Sequence, residues 1–208
     1  MHHFFENKIR ESSSVGRAQP CQGWGRGFES RLSLFLFINL VNLISATIDQ
    51  IPVIQELSDE IWPVTFKNIL SPEQIKYMMD MMYSVEALET QIDILGHKYL
   101  LAHDGNKYVG YLSYEPHYKG RQWTKIHKIY ILPSLQGKGV GRFFIDEAAC
   151  LAVQNDDREL SLNVNRNNHA IGFYEKMGFK IIDRENIDIG NGFLMEDYVM
   201  NKKLNQKI

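Results

Sequence analysis

Two cysteines in 208 residues, Cys21 and Cys150, lie far apart in unlike contexts. That leaves no disulfide framework to staple a small fold and no thiol pair at zinc-ligand spacing. Such cysteine usage fits a reducing compartment, and a cytoplasmic location is expected. An excess of one charge is missing too: 23 basic residues stand against 25 acidic ones, with no basic stripe or acidic tail. Nucleic acid is therefore not an expected partner. The longest apolar stretch, residues 32–44, is interrupted by Asn39 and Asn42 and falls short of the roughly 20 residues a spanning helix needs. No membrane partner is expected. With Arg31 before it and Ser45-Ala46 after, the stretch imitates a signal peptide, but cleavage there would damage the first strand. Past the adjacent pair His2-His3, the histidines (His97, His103, His117, His127, His169) are scattered without metal-ligand spacing and read as solvated or packed, so no metal is expected. Internal repeats and low-complexity segments are also lacking.

Residues 1–40 read as a disordered, non-domain leader, in which residues 21–31 have no apolar period and too many glycines to bury a core. They resemble a transfer-RNA gene read as protein. Ser13-Ser14-Val15-Gly16-Arg17-Ala18 can be encoded by a D-arm sequence, and Gly27-Phe28-Glu29-Ser30 by a T-arm. A misassigned start is expected, with the genuine one near residues 36–43.

Residues 41–208 read as one α/β domain. A strand over 41–48 precedes a helix opening at Asp49-Gln50-Ile51-Pro52, whose Ile54, Leu57 and Ile61 recur at helical spacing until Trp62-Pro63 bends or ends it. Ser71-Pro72-Glu73-Gln74 is a second helix start, with Ser as N-cap and Pro in the first turn. Its Met78, Met79, Met81 and Met82 suit a core or a pocket wall. A further helix over 84–95 ends at Gly96, and strands over 98–103 and 107–114 form a hairpin around Asp104-Gly105-Asn106. The polar loop over 115–122 is expected to border a substrate. Strands over 180–183 and 193–200 close the sheet.

The chain is organised around residues 125–153, which read as strand, tight loop and helix. In the loop, Gln136-Gly137-Lys138-Gly139-Val140-Gly141 leads into Arg142. Glycines at alternate positions strip Cβ atoms from it, so backbone N–H groups can converge on an anion at the positive end of the helix. A P-loop is excluded because Gly139 follows Lys138 and no hydroxyl residue is there to hold magnesium. A dinucleotide fingerprint is excluded because Gly137, Gly139 and Gly141 are evenly spaced, and Asp157 falls before the next strand rather than at its end.

Gln136, Gly139 and Gly141 resemble the acetyl-CoA loop of the GNAT family of N-acetyltransferases. A second block agrees: a short strand over 160–164, the Asn-rich turn 165–168, then a helix with Tyr174 inside it and Gly178-Phe179 just past its end. The resemblance implies an α/β GNAT fold, a mixed central sheet of six to seven strands flanked by helices. It also implies acetyl-CoA as cosubstrate, held by the loop and by strand residues Ile129, Tyr130 and Ile131, with the Ile131 N–H on the thioester carbonyl. Asn168, or its neighbour Asn167, would reach the pantetheine amide. Tyr174 would be the general acid.

A glutamate found in some relatives is replaced by Lys125, so the base stays open between a water chain, His127, and an amine that arrives neutral. Within the family, Trp62, Thr65-Phe66, Ser71-Pro72-Glu73 and residues 192–197 look like bacterial spermidine/spermine acetyltransferases. A small cationic amine is the expected partner. A protein N-terminal or lysine acetyltransferase and a non-catalytic CoA-binding module remain alternatives, and a homodimer is compatible with the sequence.

Overall fold

The structure, a computed structural model, describes residues 41–204; the expected leader and its start site lie outside the described residues. Seven strands form: β1 (Asn42–Ala46), β2 (Lys98–His103), β3 (Tyr108–Glu115), β4 (Trp123–Ile131), β5 (Glu159–Asn165), β6 (Lys180–Gly190) and β7 (Phe193–Lys203). They make one mixed sheet in the order β1-β2-β3-β4-β5-β7-β6, in which β4 and β5 are parallel and every other pair is antiparallel. The expected fold class and strand number hold. The closing strands are longer than their apolar cores suggested, because β6 keeps pairing through polar residues out to Gly190 and β7 runs on past Met200 to Lys203 against β5.

Helices α1 (Ile51–Phe66), α2 (Pro72–Tyr83) and α3 (Val85–Glu89) precede β2; α4 (Val140–Gln154) and α5 (Ala170–Lys176) flank β5 in sequence. Two layers of helix follow from strand alternation. Tyr130 packs its ring on Trp62 of α1, centroids 5.8 Å apart, whereas the neighbouring Ile131 lies against Gly141 of α4. Ile54, Leu57 and Ile61 give α1 a fully buried stripe, each contributing roughly 1.5–3 kcal/mol by leaving water.

Of the bend or end expected at Trp62-Pro63, the end does not occur, and α1 runs through Pro63 to Phe66. Pro63 sits on an exposed face, where the carbonyl it leaves without an N–H partner can turn to water, while Trp62 and Phe66 bury on the other side and hold the last turn. Ser71 caps α2 as predicted, accepting the Gln74 N–H at 3.1 Å. The segment expected as one helix over 84–95 is α3 followed by a π-turn over Thr90–Ile94, which directs the Gln91 side chain inward.

Candidate active site

The site originates where two parallel strands part. Residues 123–126 of β4 pair with 159–162 of β5, and there the pairing stops, while β4 continues along β3 to Ile131. One edge of residues 127–131 is thus open to a cleft of about 840 Å³, and the N–H and C=O groups on that edge can receive another extended chain. A β-bulge marks the fork. Ser113 faces Lys128 and Tyr114 faces Ile126, so His127 is the extra residue. The bulge brings Lys125 and Lys128, which simple alternation would send to opposite sides, onto the same face as Glu115 and Ser113.

At one end of the cleft lies the glycine loop. Gly137 (φ 77°) and Gly139 (φ 82°) are left-handed, a conformation costing other residues about 1–2 kcal/mol. Gly141 has a different reason to lack a side chain: a Cβ there would meet Phe173 at 3.2 Å and Ile131 at 3.4 Å. The N–H groups of the first turn of α4 have no carbonyl four residues back within the helix, and they face this loop. Gln136, Gly137, Gly139, Gly141 and Arg142 line the cleft. Lys138 is exposed, and Val140 is buried in the core, so Val140 offers only its backbone.

Helix α5 carries Tyr174 into the same cleft. Asn168 caps its start, its side-chain oxygen accepting the Ala170 N–H at 2.9 Å, and this leaves its amide group for another partner. Asn167 also lines the cleft. At the other end Gly178 (φ 91°) closes a Schellman turn: the Phe179 N–H donates to the Tyr174 carbonyl and the Gly178 N–H to Glu175. The Phe179 ring meets Tyr174 edge-on at 5.8 Å, and burial raises the phenol's pKa. The Gly178-Phe179 pair therefore fixes Tyr174 from behind.

The face toward α1 and α2 is polar where it borders the cleft. Lys125 donates to Asn163, whose amide donates to Glu185 at 2.8 Å. Burial lowers the Lys125 ammonium to about 8, although Glu185 and Asp197 oppose it. Asp197, buried on β7 between Asn165 and Glu185, is pushed up to about 6 by desolvation. Lys128, donating to Gln91, falls to about 8 through burial alone.

His127 lines the cleft and pairs with Glu115 at 2.9 Å, yet burial, then His97, Lys128 and Lys125, holds its pKa down to about 2. The ligand atoms of His97, Glu115 and His127 lie within 4.8 Å of one another. Their two imidazoles stack at 3.8 Å, 15° from parallel.

None of residues 115–122 lines the cleft directly, but Glu115 and Tyr118 of this loop contact His127, which does. Buried Asp157 accepts the His117 N–H at 3.0 Å and the Thr124 hydroxyl at 2.6 Å, and this anchors the loop to the start of β4. Met78 and Met82 serve as wall, Met78 from a buried position. Asn163, Lys128 and Asp197 are lining residues that the sequence reading did not single out. Their meeting depends on the bulge and on strand pairings distant in sequence.

Comparison with known proteins agrees with this architecture. Residues 66–202 match the model of the acetyltransferase (GNAT) domain. The spermidine N(1)-acetyltransferase of Thermoplasma acidophilum is 25% identical over 164 residues, covering 75% of this chain and 96% of that protein. Peptidyl-lysine N-acetyltransferase YjaB is 41% identical in Escherichia coli and 39% in Salmonella typhimurium, over 61 residues in each case. Those matches span only 38% and 39% of the two relatives' lengths, and 29% of this chain. Among solved structures, the PaiA N-acetyltransferase of Thermoplasma acidophilum in complex with coenzyme A has a similar fold, with a TM-score of 0.66 at 24% identity, covering 78% of this chain and 98% of that one. A family match across two thirds of the chain, on a sheet that forks between β4 and β5 above a glycine loop, makes this chain a member of the GNAT acetyltransferase family.

Proposed function

We propose that the domain transfers the acetyl group of acetyl-CoA to the primary amine of a small cationic molecule, by direct attack within a ternary complex. One observation carries the reading: the open edge of Ile129–Ile131, the glycine loop and Tyr174 all line a single cleft.

The chain fits such a cosubstrate. First-turn N–H groups of α4 receive a pyrophosphate, with Gly137 and Gly139 supplying left-handed backbone and Arg142 a positive charge nearby. The open edge of β4 takes the pantetheine as an added strand, and the Ile131 N–H polarises the thioester carbonyl. The Asn168 amide group, freed by its oxygen's role as cap, donates to a pantetheine carbonyl. Tyr174 gives its proton to the departing thiolate.

A polyamine-type acceptor is supported by likeness to a spermidine acetyltransferase over most of both chains. The shorter but closer likeness to a peptidyl-lysine acetyltransferase supports a second reading, a lysine side chain as acceptor. Both place a primary ammonium on the face of α1 and α2, where Trp62, Phe66 and Asp197 line the cleft. Thiol release from acetyl-CoA with spermidine, spermine, small monoamines and a lysine peptide separates them. Turnover confined to the peptide would overturn the small-amine reading, and CoA binding without any turnover would leave a binding module.

A further inference from the structure

We infer that Asp197 is the catalytic base of the amine half-reaction, supplying from β7 the carboxylate that β4 lacks at Lys125. The inference rests on the acetyl-transfer reading above. Three observations carry it. Asp197 is the sole carboxylate among the described residues lining the cleft. It is 5% exposed, so it faces the cleft without being surrounded by water. Strand register puts it on the acceptor side: Asp197 stands opposite Asn165 and Glu185, two residues from the row containing Asn163, which holds Lys125.

The other candidates on that face are weaker. Lys125 is engaged by Asn163 and lies outside the cleft lining, and His127 is held neutral as a very poor proton acceptor. Asp197 has the opposite bias. Burial raises its pKa to about 6, and Glu185 on β6 adds to that. Lys125 on β4, the Asn163 amide on β5 and Arg166 beyond β5 pull it back. Tyr130 on β4 also faces it and stays protonated, its own pKa raised by burial. A carboxylate with a pKa moved toward neutrality is ionised at physiological pH yet accepts a proton more readily than a solvated one.

The protons balance as follows. The acceptor ammonium loses its first proton to the Asp197 carboxylate. Its nitrogen forms the C–N bond at the thioester carbonyl, and the C–S bond breaks as the thiolate takes the Tyr174 proton. The second proton of the acylated nitrogen restores the Tyr174 hydroxyl, and the proton on Asp197 leaves to solvent.

The test is the pH dependence of kcat/KM in the wild type, Asp197→Asn and Glu185→Gln, with acetyl-CoA affinity measured alongside to verify the fold. Asn removes the charge and keeps the shape, so a fall of about 10²–10⁴-fold at pH 8 with unchanged acetyl-CoA affinity is expected. In the wild type, protonation of the carboxylate should remove activity as pH falls through about 6. That limb should vanish in Asp197→Asn and move to lower pH in Glu185→Gln, where a like charge is gone. A wild type without an acid limb between pH 5 and 7 overturns the assignment even if Asp197→Asn does not fold. Activity of Asp197→Asn within a few-fold of wild type overturns it too, leaving acetyl transfer standing. A wild type that acetylates no amine overturns the acetyl-transfer reading and this assignment together.

Discussion

Replacing Tyr174 by phenylalanine keeps the ring between Phe173 and Phe179 and removes one hydroxyl from the cleft. The helix around it is fixed by backbone bonds that do not involve that oxygen, the Schellman turn at Gly178 and the Asn168 cap. Stability should therefore change by about 1 kcal/mol or less, the usual net worth of one hydroxyl interaction. The chemical effect should be far larger. A free thiol has a pKa near 8.5 and a free tyrosine near 10, so proton transfer in water is slightly uphill, at roughly 1.4 kcal/mol per unit of difference. Burial raises the Tyr174 pKa, but it also destabilises the thiolate forming beside it, so the poorly solvated cleft penalises both anions. General acid catalysis is typically worth about 10²–10⁴-fold. That corresponds to about 3–5 kcal/mol of transition-state stabilisation. Single-turnover acetyl transfer should fall by a factor in that range, with acetyl-CoA affinity nearly unchanged. Chemistry that survives within a few-fold would show that the thiolate takes its proton from water or from the attacking amine.

Further outcomes follow from other parts of the molecule. Gly139→Val forces a β-branched residue into φ 82°, and Gly141→Asp drives a carboxylate between Phe173 and Ile131. Both should abolish acetyl-CoA binding in calorimetry while the domain stays folded, and unchanged affinity in both would make the loop an ordinary turn. Gly110→Ala would set its Cβ 2.5 Å from the Tyr130 carbonyl oxygen, so denaturant midpoints should report a loss of about 1–3 kcal/mol. Lys128 binds fewer protons folded than unfolded between pH 8 and 10, because burial lowers its folded pKa to about 8 from 10.5. Its contribution to stability should therefore rise with pH across that window, and Lys128→Met should flatten the rise in urea titrations. Deleting residues 1–39 should leave thermal stability and CoA binding intact, since they precede the first strand and read as a leader outside the domain.

What could be read from the sequence was what neighbours in the chain decide. The glycine loop, the Ser71 cap, the Asp104-Gly105-Asn106 hairpin and the Gly178-Phe179 helix end are local signals, and the structure forms each of them. What escaped was set by pairing between distant residues. A bulge adds one residue to β4, so counting by twos could not show that Lys128 shares a face with Lys125. Lys125 meets Asn163 from 38 positions away, and Asp197 enters the cleft only because β7 inserts between β5 and β6. At Pro63 the local rule that lets a helix end yielded to the burial of Trp62 and Phe66 on either side of it.

The most direct test of the account is mass spectrometry of an amine panel incubated with acetyl-CoA and the purified protein, alongside thiol release. Acetyl groups should appear on a polyamine or similar small cationic amine in step with free CoA. Acetyl-CoA that binds but transfers no acetyl group to any amine in the panel would contradict it.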